Sequence, residues 1–425
     1  MSHLGAMTPR KPITPVDAAW LRMDGPNNAM VITTVFRFEQ PLDVGALDAT
    51  FARLLEHRKF RQRVEHDPRT LTRASWVDDP DFSLDRHIEH VRLPAPGDEA
   101  TLEAFVGARM STPLEHDRPL WHVDVISGVG GNGSALLVRV HHAVGDGVAL
   151  VRLLLGVSGA GEETTPVEVG IAPPEAVTTV RALADRARAQ AATLARLLLL
   201  PADNPTPLRG PLGVRKGAAM SKAIPVSTIK AIARANGGHV NDLLASAVAG
   251  AVRSYLREPR EVRALVPVFL RGGRGESGNH FGLAYLPLPV QEPSRALRLR
   301  AVKREMDTIK SAPDATVAFV VLGAMGLASP TLERFGIELF TKKATMLITN
   351  VPGPAATVQV GGQDVSSMVV WAPTSGSIGL GFSLLTYAGQ LRLGVAADAN
   401  LVSDPHELVA CFEREIDAMR ADAGL

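Results

Sequence analysis

Apolar residues along the chain recur with a period of two in some stretches and near 3.6 in others, and this predicts strands interleaved with helices. Residues 30–38 are largely β-branched and aromatic, which reads as a strand; after Pro41-Leu42-Asp43, positions Leu47, Phe51, Leu54 and Leu55 fall on one helical face. A second helical pattern through Leu102, Phe105, Val106 and Met110 stops before Pro113. Residues 121–127 alternate as a strand, 128–133 form a turn, and 134–140 are a strand with an apolar run. That strand delivers His141-His142-Ala143-Val144-Gly145-Asp146-Gly147, after which 148–155 return to helical spacing.

Between 156 and 211 the composition shifts to Gly, Glu, Thr and Pro at both ends. These flank one amphipathic helix near 177–200, with Val180, Leu183, Ala187, Leu194 and Leu197 at helical spacing and Arg181, Arg186, Arg188 and Arg196 among them. It reads as an interdomain crossover. Packing on a domain is expected of it; the other reading, lying on a lipid surface, finds no further membrane signal in the chain.

The second half restarts with a helix from Ser227 and another N-capped near Asn241-Asp242 that runs through Leu244, Val248 and Val252. Strand 262–270 ends at Arg271, a Gly-rich turn covers 271–278, and Asn279-His280-Phe281 leads to strand 283–288 and a helix with Leu299, Val302, Met306 and Ile309 on one face. Beyond the apolar segment 315–328 come 344–349, the rigid turn Asn350-Val351-Pro352-Gly353-Pro354, strands near 366–370, 379–385 and 390–396, and a terminal helix over 405–419. No short repeat is present. Both halves mix strands with helices, so the expected class is α/β with two similarly built domains, 8–165 and 216–425, joined by a crossover over 166–215.

The 425 residues suffice for two domains with large cores. The formal net charge of +1, from 45 basic and 44 acidic residues, gives no global field for nucleic acid or an anionic membrane. Cys411 is the only cysteine, which rules out an intrachain disulfide and a cysteine-built metal cluster and fits a reducing, cytoplasmic setting. Residues 1–7, MSHLGAM, lack the basic start and apolar core of a signal peptide and read as an expression scar. The longest apolar stretches, 315–328 and 194–200, fall short of the roughly 20 residues that span a bilayer.

A base that works near neutral pH is most economically a histidine, whose ordinary pKa of about 6.5 leaves neutral imidazole abundant. His142 is the candidate, set at the end of an apolar strand on a turn whose Gly145 and Gly147 permit unusual backbone geometry. Asp146 on that turn can tie the loop to a cation and fix the ring's direction. A bare His-His pair would be read as a surface feature; the complete seven-residue pattern shifts that balance. His116, His122 and His280 lack metal-ligand spacing, and no metal is expected. Trp121 is expected to pack rather than meet substrate, capping accounts for Asn241 and Asp242, and Arg215-Lys216 could meet phosphates or be merely solvated.

The pattern His141-His142-x-x-x-Asp146-Gly147 after an apolar strand resembles the signature of the acyltransferase superfamily that contains chloramphenicol acetyltransferase, nonribosomal peptide condensation domains and bacterial wax ester synthase/diacylglycerol acyltransferases. The last group is matched further. Thr14-Pro15-Val16-Asp17-Ala18-Ala19-Trp20-Leu21, Pro119-Leu120-Trp121, Asn241-Asp242, Val266-Pro267-Val268-Phe269-Leu270-Arg271, Gly278-Asn279 and Thr349-Asn350-Val351-Pro352-Gly353-Pro354 resemble its motifs in order. Two stretches depart from it: Ala29-Met30-Val31-Ile32 stands where the family has Pro-Met-His-Val, and Gly379-Leu380-Gly381 where it has Gly-Leu-Asn.

The resemblance implies two chloramphenicol-acetyltransferase-like domains forming a pseudo-dimer, with a tunnel at their interface. It implies transfer of a long-chain acyl group from acyl-coenzyme A, a co-substrate and not a cofactor, to a fatty alcohol or diacylglycerol. His142 would be the base, with His141 and Asp146 beside it, Gly147 shaping the turn, Arg271 paired with Asp146, and Trp121 supporting the strand. Asn279, or a backbone amide beside Gly147, would face the oxyanion. Gly381 would line the acceptor side, depolarised by the missing amide. Peripheral contact with a membrane or lipid inclusion fits such substrates. Two rival readings are a condensation-type catalyst using a carrier-protein thioester or an unusual alcohol or amine acceptor, and a non-catalytic lipid-binding homologue.

Overall fold

Strand Gly133–His141 is buried from Ser134 through His141, on both faces, so layers cover it on both sides. A computed structural model describes residues 10–66, 74–145, 180–269, 281–311 and 314–425, and in it this strand is central to a five-stranded sheet. The sheet order is Ser367–Trp371, Val31–Phe38, Gly133–His141, Trp121–Val129, Ile88–Arg92. Its first member comes from the far end of the chain and pairs antiparallel with Val31–Phe38, from Ser367 opposite Arg37 to Trp371 opposite Thr33.

A larger sheet from the second half runs Phe281–Leu288, Val262–Phe269, Met346–Pro352, Leu380–Tyr387, Gln390–Asp398, Lys216–Met220, with Ile224–Pro225 also paired to Gln390–Asp398. Met346–Pro352 and Leu380–Tyr387 are parallel, with Leu347 opposite Gly381. Helix Val240–Tyr255 is buried from Asp242 through Val252, and helix Pro405–Asp422 packs against it. Leu299, Val302, Met306 and Ile309 on helix Arg295–Ser311 are buried, as their spacing predicts.

The two sheets are in close contact. A Cβ on Gly394 would lie 2.5 Å from the Val370 carbonyl oxygen, so strand Gln390–Asp398 of the larger sheet passes Ser367–Trp371 of the smaller at backbone distance. Trp371 Nε1 donates to the Ala219 carbonyl at 3.2 Å across the same seam. Helix Glu99–Met110 lies over Lys216–Met220, where buried Glu103 accepts from Met220 N at 2.5 Å. Burial pushes the Glu103 carboxyl up to about 7.

Several elements differ from the sequence reading. The N-cap of Val240–Tyr255 is His239, and Asp242 stands at the third helical position, where its carboxylate accepts from His239 N at 2.9 Å in the manner of a capping box. Asn350 to Pro352 continue strand Met346–Pro352 instead of opening a turn. Residues 315–328 contribute most of helix Asp314–Met325, apolar all round and therefore without a period to read, and a second helix, Pro330–Thr341, follows. Helix Pro15–Met23 carries start signals that its nine-residue length hid: Thr14 Oγ1 accepts from Asp17 N at 3.1 Å, and Pro15 opens the first turn. The helix expected over 148–155 and the turn over 271–278 lie outside the described residues.

Because the space at Gly394 is already filled, Gly394→Ala should destabilise the protein by roughly 1–3 kcal/mol through overpacking, read as a lower midpoint in denaturant unfolding.

Candidate active site

At the end of Gly133–His141 the two histidines part company. His142 N donates to the Met30 carbonyl at 2.7 Å, and Val144 N donates to the His141 carbonyl at 2.9 Å, which turns the chain out of the sheet. His141 is completely buried. Its Nδ1 accepts from Ala143 N at 3.0 Å, so the neutral ring carries its proton on Nε2, which lies 3.9 Å from Asp24 Oδ1. Burial pushes the His141 pKa down to about 3 against the opposing pull of Asp24, and the ring stays neutral at physiological pH. Asp24 accepts from Met30 N at 2.7 Å and pairs with His116 Nε2 at 2.8 Å. Burial raises its carboxyl, but the His116 hydrogen bond and the Met30 amide together hold it below the ordinary range.

His142 is 8% exposed, and its ring stacks on Trp20 with centroids 4.4 Å apart at 15°, while Phe281 tilts against it at 5.5 Å. The ring lies on the wall of a cavity of about 780 Å³, part of it continuous with solvent, to which both sheets contribute: Ile32 and Val370 from the smaller, Leu265, Leu347 and Thr349 from the larger. A second cavity of about 590 Å³ shares Trp20, Leu265, Leu283 and Ser375 with the first and is otherwise walled mainly by apolar residues such as Leu322, Met325 and Ile337.

Trp20 is positioned by the anchoring of its helix. Lys59 Nζ donates to the carbonyls of Ala143 and Val144 at 3.0 and 3.2 Å and to Asp17 Oδ2 at 3.3 Å, joining the histidine turn to helix Pro15–Met23. At the other end Arg22 donates to the carbonyls of Met325 and Ala328 at 3.2 and 3.4 Å and pairs with buried Glu333. Trp121 lies behind this arrangement. Its Nε1 donates to the Phe60 carbonyl at 2.9 Å and its ring stacks on His87 at 4.5 Å, so it packs on the short turn Arg58–Arg61 that carries Lys59.

Asn241 Oδ1 accepts from Asn350 Nδ2 at 2.7 Å, and both residues line a third cavity that shares Pro267 with the first. Gly381 is behind the wall instead of on it: a Cβ there would lie 3.3 Å from Cγ2 of Thr374, which faces the His142 cavity. Asp146, Gly147, Arg271 and Asn279 lie outside the described residues, and with them the expected Asp146–Arg271 pair. His122 is brought within 3.7 Å of Glu89 and 3.6 Å of Asp124, a proximity its sequence spacing does not reveal. The cation among those carboxylates is Arg109, whose Nη2 is 2.6 Å from Glu89 and 2.5 Å from Asp124. Trp20, Lys59, Asp24 and Phe281 are site residues that the sequence reading does not name as such; the signals that lead to the first of them are the helix start at Thr14, Pro15 and Asp17 and the resemblance of residues 14–21 to a family motif.

A histidine at a strand end, over a cavity walled by two mixed α/β units, places the molecule among the chloramphenicol-acetyltransferase-like folds. Comparison with solved structures agrees. A wax ester synthase/diacylglycerol acyltransferase from Marinobacter aquaeolei superposes with a TM-score of 0.70 at 22% identity, covering 98% of this chain and 100% of that one. The starter condensation domain of rhizomide synthetase superposes with a TM-score of 0.61 at 15% identity, covering 100% and 97%. In sequence, the wax ester synthase/diacylglycerol acyltransferase catalytic domain matches residues 13–175 and the C-terminal domain of the same family matches 277–420. The chain therefore belongs to the wax ester synthase/diacylglycerol acyltransferase family. Among curated relatives, a probable diacylglycerol O-acyltransferase of Mycobacterium tuberculosis is 27% identical over 94% of each chain.

Two outcomes follow from this geometry. Lys59→Met removes the cation that Asp17 and two carbonyls share, and should lower stability by about 1.5–3 kcal/mol in thermal or denaturant unfolding. For His141, the folded-state pKa near 3 lies below the unfolded value of 6.5. Its contribution to stability is present above pH 6.5 and is lost as pH falls toward 3. The melting temperature of His141→Asn should therefore depend less on pH in that window than that of the native protein.

Proposed function

We propose that this protein is an O-acyltransferase that moves a long-chain acyl group from acyl-coenzyme A to the hydroxyl of a fatty alcohol or diacylglycerol, with His142 as general base. The observation that carries this is the His142 ring, stacked on Trp20 in the wall of a largely apolar cavity that adjoins a second one. The naming of the Mycobacterium tuberculosis and Marinobacter relatives supports it. His142 takes the proton of the acceptor hydroxyl as its oxygen attacks the thioester carbonyl, and the collapsing intermediate expels the thiolate of coenzyme A, which receives that proton back. The exchange of a thioester for an ester needs no redox partner, so acyl-coenzyme A is the only co-substrate this reading requires.

The remaining roles are assigned on the same basis. Domains 8–165 and 216–425, joined across 166–215, meet at a substrate tunnel for which the adjoining cavities are the starting space. Asp146 pairs with Arg271 to hold the loop at Gly147, and Asn279 or an amide beside Gly147 faces the oxyanion. Asn241 steadies Asn350 beside the cavity, Asp242 caps its helix, and Gly381 lets Thr374 sit back from the acceptor. No helix among the described residues is long and apolar enough to cross a membrane, and the protein is read as cytoplasmic with peripheral contact at membranes or lipid inclusions.

Thiol release from acyl-coenzyme A in the presence of alcohols or diacylglycerol tests the reading. His142→Ala should lose about 10²- to 10⁴-fold in turnover with the fold intact, and His141→Ala should lose less turnover. Near-native turnover in His142→Ala overturns the mechanism. Each added methylene should raise kcat/KM roughly fourfold until the apolar space is full, since burial of one contributes about 0.8 kcal/mol. Gly381→Asn should move the acceptor profile toward smaller or more polar alcohols and leave acyl-chain preference unchanged; an untouched profile would place acceptor choice elsewhere.

A further inference from the structure

The pair of helices Asp314–Met325 and Pro330–Thr341 presents an unusual surface for a protein in water. From Ala315 to Leu332 the sequence contains no charged residue. Burial does not account for this: between residues 317 and 325 only Val317 is buried, and Val320, Leu327, Leu332 and Phe335 are 61–71% exposed. Leu198 and Leu199, at the end of helix Val180–Leu199, are 45% and 82% exposed, and that helix packs on Asp314–Met325. Six of the nine exposed large hydrophobic residues among the described residues fall on these three segments, which pack on one another, so exposed apolar surface is concentrated here instead of scattered.

Two further observations say what covers it. The second cavity lies beneath the same helices, lined by Leu322, Met325, Ile337 and Phe340 and by Leu197 of the neighbouring helix, so apolar surface continues inward from the patch. Charge on these segments is mostly of one sign: Arg188, Arg196, Arg334 and Lys342 are exposed, against Glu338 as the only exposed carboxylate among their described side chains. Apolar side chains flanked by cations match the acyl-chain layer and the anionic headgroups of a phospholipid surface.

We propose that this face docks on an anionic phospholipid surface and that the lipid substrate passes from it into the second cavity without crossing water. The second clause rests on the acyltransferase reading; the first stands independently of it. Docking is coupled to the site through close packing, because a Cβ on Gly326 would lie 1.7 Å from the Pro15 carbonyl oxygen. Arg22 ties the two helices to the one that carries Trp20.

The test is flotation of the full-length protein with vesicles of phosphatidylglycerol and phosphatidylcholine, with phosphatidylcholine alone as the control. The native protein should float with the anionic vesicles and less so at high salt. Leu332→Glu combined with Phe335→Glu, two positions that line neither cavity, should weaken flotation at least tenfold. The same variant should lose at least tenfold in turnover of diacylglycerol presented in vesicles, yet retain turnover of a short-chain acyl-coenzyme A with a water-soluble alcohol. Leu199→Glu, on a separate segment, repeats the test should the double variant melt early. Docking is overturned if the native protein does not float, if the variants float equally, or if they merely dissolve a concentration-dependent dimer. Flotation that the variants abolish, in a protein that transfers no acyl group between soluble substrates, would leave docking standing and remove the acyltransferase reading instead.

Discussion

The ammonium of Lys59 is the point on which the site depends. Donating to the carbonyls of Ala143 and Val144 and to the carboxylate of Asp17, it joins the turn after the histidines to the helix that carries Trp20. Neither partner is secured by regular structure alone: the turn has left the sheet, and the helix is only nine residues long, too short to be stable by itself. The stacked pair of His142 and Trp20 is aligned by this cation at one end of the helix and by Arg22 at the other, and Lys59 is in turn held by the turn that Trp121 buttresses.

Adjacent histidines thus do different work because of where their backbone leads. His141, still in the sheet, is completely buried beside Asp24 and His116, and burial keeps its ring neutral. His142, one residue on, turns to the cavity wall. Of the two histidines, only the second lines a cavity, which is what the proposed role of base requires.

How much of this could be read beforehand follows from what each feature depends on. The strand before His142 was legible because its apolar run and the polar turn after it are local facts, and the buried face of Leu299, Val302, Met306 and Ile309 because a period of 3.6 is local as well. The stacking of Trp20 on His142 and the bonds from Lys59 to Ala143 and Val144 were not, since they join segments far apart in sequence and neither residue type announces its partner. Helix Asp314–Met325 hid its class by having no polar face. Asn241 shows a third case: its neighbourhood suggested a cap, whereas the cap comes from His239 and Asp242, and Asn241 instead bonds to Asn350 in a distant strand.

Strand Ser367–Trp371 has a consequence for anyone wishing to divide this chain. It belongs by sequence to the second half and by hydrogen bonding to the sheet of the first. Cutting in the crossover would leave Val31–Phe38 as a long, apolar edge with unpaired amides and carbonyls, the kind of edge that recruits other chains. The isolated first half would accordingly be a template for aggregation, while the second would carry a strand with no sheet to join. Fragments mixed together should recover solubility only when the piece that contains residues 367–371 is present.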